Sequence, residues 1–326
     1  MYRGGKLTFA WRILLSLILT FLYFAPLFSG NFTLFVIAVL LINTVWASAT
    51  WGLFHQAGQS LFAVAVIAGA GGYFSALLQN VFPNSWFAMA IALFLCCGIG
   101  IFCYLLMKRV PGHIQFAVLN LALIFVFGYL LIAFTNVTGG IDGIELNYFY
   151  PDSFFGNISA RYLVVLTLCL LSLFVIHRIM ISRFGKIITL IGRNPSLAAS
   201  VGIDTDKYLM KAYLIFTPLM GLGGILYSHF IGHISPETWN ADLSLMIVFC
   251  TLIGGSSTII GPTIGAIIAT GIPILFDVSA EFRFAIVGVI AILIFVFMPE
   301  GLTDGIKRMI LNKFESKVSS SSDDLI

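Results

Sequence analysis

Few side chains in this 326-residue chain could do chemistry: five histidines, five cysteines and 14 carboxylates. His55, His113, His177, His229 and His233 have no metal-ligand spacing and lie near the ends of apolar runs or in loops. There an imidazole serves as a polar anchor rather than a catalyst. No HExxH or GxSxG string occurs, so an intramembrane enzyme is only a third reading, behind a transport subunit and a carrier or channel. Cys96, Cys97, Cys103, Cys169 and Cys250 all fall in apolar runs without the paired spacing of a zinc site, and read as small packing residues. The chain also lacks a phosphate-binding loop. Its nearest fragment, Gly185 and Lys186, has neither the upstream glycine nor the following hydroxyl, so ATP is not hydrolysed here by that route. No Asp, Glu, Lys or Arg sits near the middle of an apolar run. This argues against a proton-driven carrier, which needs ionisable relay groups inside the membrane. Sodium coupling through backbone carbonyls at a broken helix stays open. No metal or cofactor is expected in this chain.

The elements that carry these residues are hydrophobic throughout. Hydrophobic residues make up 60% of the chain and charged residues 10%, with a mean hydropathy of +1.04. A water-soluble fold has no way to hide that much apolar surface. Ten apolar stretches stand out: Trp11 to Phe28, Phe32 to Ala49, Ser60 to Leu78, Trp86 to Met107, Ile114 to Phe134, Tyr162 to Met180, Met210 to Phe230, Leu243 to Ile260, Ile264 to Phe276 and Phe284 to Met298. The first follows Arg3, Lys6 and Arg12 as a signal peptide would, but no small-residue cleavage site follows it, so it reads as a retained anchor. The expected fold is all-α: a polytopic transmembrane helical bundle of about ten membrane segments, some broken or re-entrant. With the N-terminus and C-terminus cytoplasmic, fifteen of the 17 Lys and Arg residues lie inside and only Arg161 and Arg283 outside. That bias sets the orientation and requires an even number of crossings. The net charge of +3 therefore belongs to cytoplasmic loops, and no nucleic-acid partner is suggested. Residues 1–315 read as a single transmembrane domain, and the serine-rich stretch 316–326 reads as a disordered cytoplasmic tail.

Two loops are long enough to hold structure. The outer one, about 135–161, carries the turn-rich string VTGGIDGI with Asp142, Glu145 and Asp152. The inner one, about 181–208, contains GRNPSLAASVGID. In it Asn194 suits an N-cap, Pro195 the first helical position and Gly202 the position just past the end. A helix of about two turns is too short to stand alone and too polar to insert, so it must dock on something. Packing on its own protein is the alternative. Glycine and proline interrupt two spans, at GAGG (Gly69 to Gly72) and in LIGGSSTIIGPTIG (Leu252 to Gly265). Such breaks line a pathway in transporters, because freed backbone cannot face lipid. Close helix packing at small residues is the other reading, especially for GAGG.

Taken together, these motifs resemble the LivM-type permeases of high-affinity branched-chain amino acid ABC importers. The likeness is strongest from Arg183 to Phe276, through RFGKIITLIGRNPSLAASVGID, GGILYSHFIGHISPETW and LIGGSSTIIGPTIGA. It extends to QAGQSL, GAGGYFSALL, VTGGIDGI and the closing FRFAIVGVIAILIFVFMPEGL. The resemblance implies a transport subunit, not an enzyme, in the bacterial cytoplasmic (inner) membrane. It implies a second, related permease, two cytoplasmic ATPase subunits that bind ATP and Mg, and a periplasmic substrate-binding protein. Branched-chain or other hydrophobic amino acids would be the cargo, with urea, short amides or another small solute as the alternative on this architecture. An ATP-independent carrier or channel is a further alternative. Arg193, Asn194, Pro195, Leu197, Ala198, Val201 and Gly202 would dock an ATPase. Asn120, Gly254, Gly255, Ser256, Gly261 and Pro262 would belong to the pathway, and Asp142, Glu145 and Glu237 would face the binding protein. The chain departs from the family where acidic residues commonly follow Arg193, here Asn194, Pro195 and Ser196. It departs again at Phe62, in place of a glycine, and at Phe125.

Overall fold

A computed structural model describes residues 20, 22–82, 85–110, 112–146, 158–275, 280–298, 301–305 and 308. Arg3, Lys6, Arg12, Asp152, most of the first apolar stretch and the 316–326 tail lie outside the described residues. Among the described residues, seven helices are long and apolar enough to cross a membrane: Asn31–Gln56, Val64–Val81, Trp86–Arg109, Ile114–Ala133, Ile158–Ile181, Thr205–Ile231 and Ala285–Gly305. Each takes up one of the ten apolar stretches. The protein is an all-α, multi-pass membrane protein.

We number the helices α1 (Asn31–Trp51), α2 (Val64–Val81), α3 (Ser85–Arg109), α4 (His113–Ala133), α5 (Ile158–Ile181), α6 (Arg183–Arg193), α7 (Pro195–Ser200), α8 (Thr205–Ile231), α9 (Ala241–Gly254), α10 (Ile260–Ala266) and α11 (Ala280–Phe297). The spans carrying α1 and α8 are 67% buried over their apolar windows, against 22% for that carrying α4 and 19% for that carrying α11. The first pair therefore forms the centre, and the second pair lies at the periphery. At the centre Trp46, Tyr227 and Trp239 pack with ring centroids 5.8–6.0 Å apart, and the Trp46 indole N–H donates to Met220 O at 2.9 Å.

Small residues allow the central helices to approach closely. A Cβ at Gly71 would meet Gly221 backbone, one at Gly72 the Ser228 hydroxyl, and one at Gly224 the Ala68 carbonyl. The expected interruption at GAGG does not occur: α2 runs unbroken through Gly69 to Gly72. In a bilayer, glycine's missing side chain becomes packing surface rather than a helix stop. The break lies earlier, where a π-helical turn, Gly52–Gln56, ends α1 and residues 57–63 lead to α2.

The stretches Leu243 to Ile260 and Ile264 to Phe276 also differ from a pair of full spans. The first ends as helix at Gly254, the chain turns through 255–259, and α10 starts at Ile260 and continues through a π-helical turn, Ile267–Gly271. At 14 residues α9 is about 21 Å long, short of the roughly 30 Å hydrocarbon core. The two arms pack back to back: a Cβ at Gly254 would strike Gly261, and one at Gly265 the Cys250 carbonyl. The inner loop corrects another boundary. It is not one short helix but two, because the amphipathic α6 precedes α7.

Candidate functional site

α6 and α7 lie at one end of the bundle, separated by the extended backbone of Asn194. Ser182 caps α6, whose Gly185, Ile188 and Ile191 are buried while Arg183, Lys186 and Arg193 stay exposed. The Asn194 side chain accepts from Leu197 N at 3.0 Å, and Pro195 follows at the first helical position. The far end closes as a Schellman motif: Gly202 N donates to Ala199 O at 3.0 Å, Ile203 N to Ala198 O at 3.1 Å, and Gly202 has φ +80°. Ala198 is fully buried and seats the helix on the bundle, while Leu197 is 49% and Val201 63% exposed. The expected caps are therefore in place, and the two aliphatic side chains face outward. Beyond them Asp204 caps α8 by accepting from Lys207 N, and its carboxylate pairs with the Lys207 ammonium at 2.8 Å. That hydrogen-bonded partner holds the Asp204 carboxyl below its ordinary range. A second ion pair, Lys108 to Asp206 at 2.6 Å, ties the end of α3 to the start of α8.

The break after Gly254 lies at the same end. Gly255 adopts φ +100°, and the Ser256 carbonyl accepts from both the Trp51 indole N–H at 2.9 Å and the Gln56 amide at 2.8 Å. Asp304 receives the backbone N–H groups of Ser256 and Ser257, each at 3.1 Å, and both serine hydroxyls donate to it as well. Thr303 donates to Gly254 O at 2.6 Å, and Gly301 abuts the Gly255 backbone. Of the expected pathway residues, Gly254, Gly255, Gly261 and Pro262 are buried and Ser256 is exposed. Asn120 is elsewhere, fully buried on α4, where it donates to Phe116 O at 2.7 Å and to Ser60 O at 3.4 Å. It steadies the bend between α1 and α2, and its Oδ1 has no hydrogen-bond partner among the described residues.

At the opposite end two short strands, β1 (Ile144–Glu145) and β2 (His233–Ile234), pair antiparallel with Glu145 opposite His233. This joins VTGGIDGI to HISPETW and puts exposed Asp142, Glu145 and Glu237 on connected loops. His229 departs from the expected interfacial anchor: it is fully buried, 2.7 Å from the Ser75 hydroxyl.

Reasoning from the sequence missed Trp51, Gln56, Thr189 and Asp304. Gln56 opens the QAGQSL string, and an amide at the end of an apolar span was the available signal.

A family model described as "Branched-chain amino acid transport system / permease component" matches residues 32–299. The chain is 23% identical over 269 residues to the high-affinity branched-chain amino acid transport system permease protein LivM of Escherichia coli (strain K12), covering 73% of this chain and 63% of that protein. It is 30% identical over 158 residues to the inner membrane ABC transporter permease protein YjfF of the same strain, covering 45% of this chain and 46% of that one. It is also 30% identical over 124 residues to the autoinducer 2 import system permease protein LsrC of Yersinia pestis (strain Pestoides F), covering 36% and 35% of the two chains. No solved structure matches.

Proposed function

The chain belongs to the family of branched-chain amino acid transport system permease components, and from that premise we propose that it is the membrane-spanning subunit of an ABC importer carrying branched-chain or other hydrophobic amino acids into the cytoplasm. The observation that carries this is α7, a capped knob between two spans with Leu197 and Val201 exposed. A small apolar face of that kind suits a groove on a partner. In this reading Arg193, Asn194, Pro195, Leu197, Ala198, Val201 and Gly202 form the element that seats in a cytoplasmic ATPase. Two ATPase subunits hydrolyse ATP with Mg, a second related permease completes the pathway, and a periplasmic binding protein delivers cargo to the end carrying Asp142, Glu145 and Glu237. The skew of fifteen basic residues to two supports about ten segments with both termini in the cytoplasm of a bacterial inner membrane. The break from Gly254 to Gly265 and, separately, Asn120 on α4 form parts of the route.

A second reading, a permease for a different small solute on the same architecture, is supported by the likeness to LsrC, named for autoinducer 2 import. Reconstitution separates the possibilities. With the partner permease, ATPases and binding protein, proteoliposomes should take up radiolabelled leucine only when ATP is supplied. Titration calorimetry of the binding protein with leucine, urea and autoinducer 2 assigns the cargo. Solute uptake by this chain alone, without ATP, would replace the proposal with a carrier or channel.

A further inference from the structure

We infer that Gln56 is the positioning residue that transmits movement of the docking segment to the broken segment at 255–259, and so opens and closes the mouth of the pathway at that end. The inference rests on the reading of the chain as an ABC permease and adds the route by which an ATPase would act.

The Gln56 side chain, 8% exposed, spans two elements distant in sequence. Its Nε2 donates to Ser256 O at 2.8 Å, and its Oε1 accepts from the Thr189 hydroxyl of α6 at 2.8 Å. The amide can be oriented only this way, because a carbonyl oxygen accepts and never donates. The same Thr189 hydroxyl lies 2.9 Å from Gly185 O. Its one proton thus has two acceptors, α6's own carbonyl and the Gln56 amide, and displacement of α6 shifts it between them. Backbone reinforces the link: Gly192 packs against Gln56 O and the Gly58 backbone, so α6 cannot slide without moving this bend. On the other side Ser256 is held by Trp51 through its carbonyl and by Asp304 through its N–H. The π-helical turn Gly52–Gln56 sets the aim. One extra residue in the turn rotates the downstream chain by about 100°, which carries Gln56 from the course of a regular α1 to the gap between α6 and Ser256.

The test uses the assembled complex of this chain with its partner permease and ATPases, in inside-out vesicles. All native cysteines are replaced, and Thr258→Cys serves as reporter within the break. Alkylation by a membrane-impermeant maleimide is timed without nucleotide and after trapping with ATP, Mg and vanadate. The parent should show at least about a fivefold change in rate between the two states, in the range of ordinary allosteric couplings. Gln56→Met and Thr189→Val should lose that change while retaining the ATPases on purification, and Thr189→Ser should restore it. A purely structural role would instead reduce ATPase retention together with the change. The inference is overturned if both variants keep the full change, if retention and change fall together, or if the parent retains ATPases and shows no change. A parent that retains no ATPase overturns the underlying reading itself.

Discussion

Asn194 and Gly202 bracket six helical residues, and both ends were legible in the sequence because capping is local chemistry, set by a side-chain oxygen at one end and freedom from a Cβ clash at the other. Replacing Asn194 by Ala should cost α7 about 1 kcal/mol. Amide exchange at Leu197, whose N–H loses its acceptor, should accelerate about fivefold. Gly202→Val should act similarly by forcing a β-branched residue into positive φ, although nothing lies within 4 Å of the glycine to clash. Asp204 gives a pH signature. Its carboxyl is held low, so the cap and ion pair with Lys207 are intact at neutral pH and are lost only as pH falls through that depressed value. The protection of the Lys207 amide, the intrinsic exchange rate relative to the observed rate at each pH, should therefore stay flat from neutral to mildly acidic pH and fall at pH below the usual carboxylate range. Gln56 and Thr189 were not legible, since their roles depend on partners 200 and 133 residues away in sequence.

The spans and their breaks show how far element-scale patterns reach. Length and hydropathy located the seven long helices, but glycine in a membrane helix has two meanings that spacing cannot separate. Gly71 and Gly72 pack α2 against α8, whereas Gly255 turns the chain with positive φ between α9 and α10. The difference lies in the neighbours, Gly221, Gly224 and Ser228 for the first and Asp304 with Trp51 for the second. Gly265→Val would drive a side chain into the Cys250 carbonyl and should lower the unfolding free energy of the detergent-solubilised protein by about 1–3 kcal/mol, read as a drop in melting temperature. In a cysteine scan of 254–265, residues 256–258 should react with a water-soluble thiol reagent in at least one nucleotide state. Uniform inertness would mean the hairpin is only packing. Charge reversal at Glu145 and Glu237, joined through β1 and β2, should weaken association with the binding protein at low salt and leave it unchanged at high salt.

Across the whole molecule, the seven apolar helices and the family match over residues 32–299 describe a multi-pass permease whose working parts collect at two ends. The proposed orientation rests on charge distribution, because lysine and arginine resist translocation. Cargo has no comparable signature in the sequence, since the spans carry uncharged polar side chains such as Asn43, Asn120 and Thr217 but no charged residue near their middles. A periplasm-active reporter should be inactive when fused at Asn194 or at the C-terminus and active when inserted near Asp142. The central claim, that α7 is where an ATPase engages, is tested most directly by co-purifying the ATPase subunits with this chain and with the double variant Leu197→Asp, Val201→Asp. Neither residue lies in a span, so both proteins should insert and be recovered from the membrane in equal amounts. The account requires the ATPases to be retained by the unmodified chain and lost, with ATP-driven uptake, from the double variant; equal retention and undiminished transport by the double variant would contradict it.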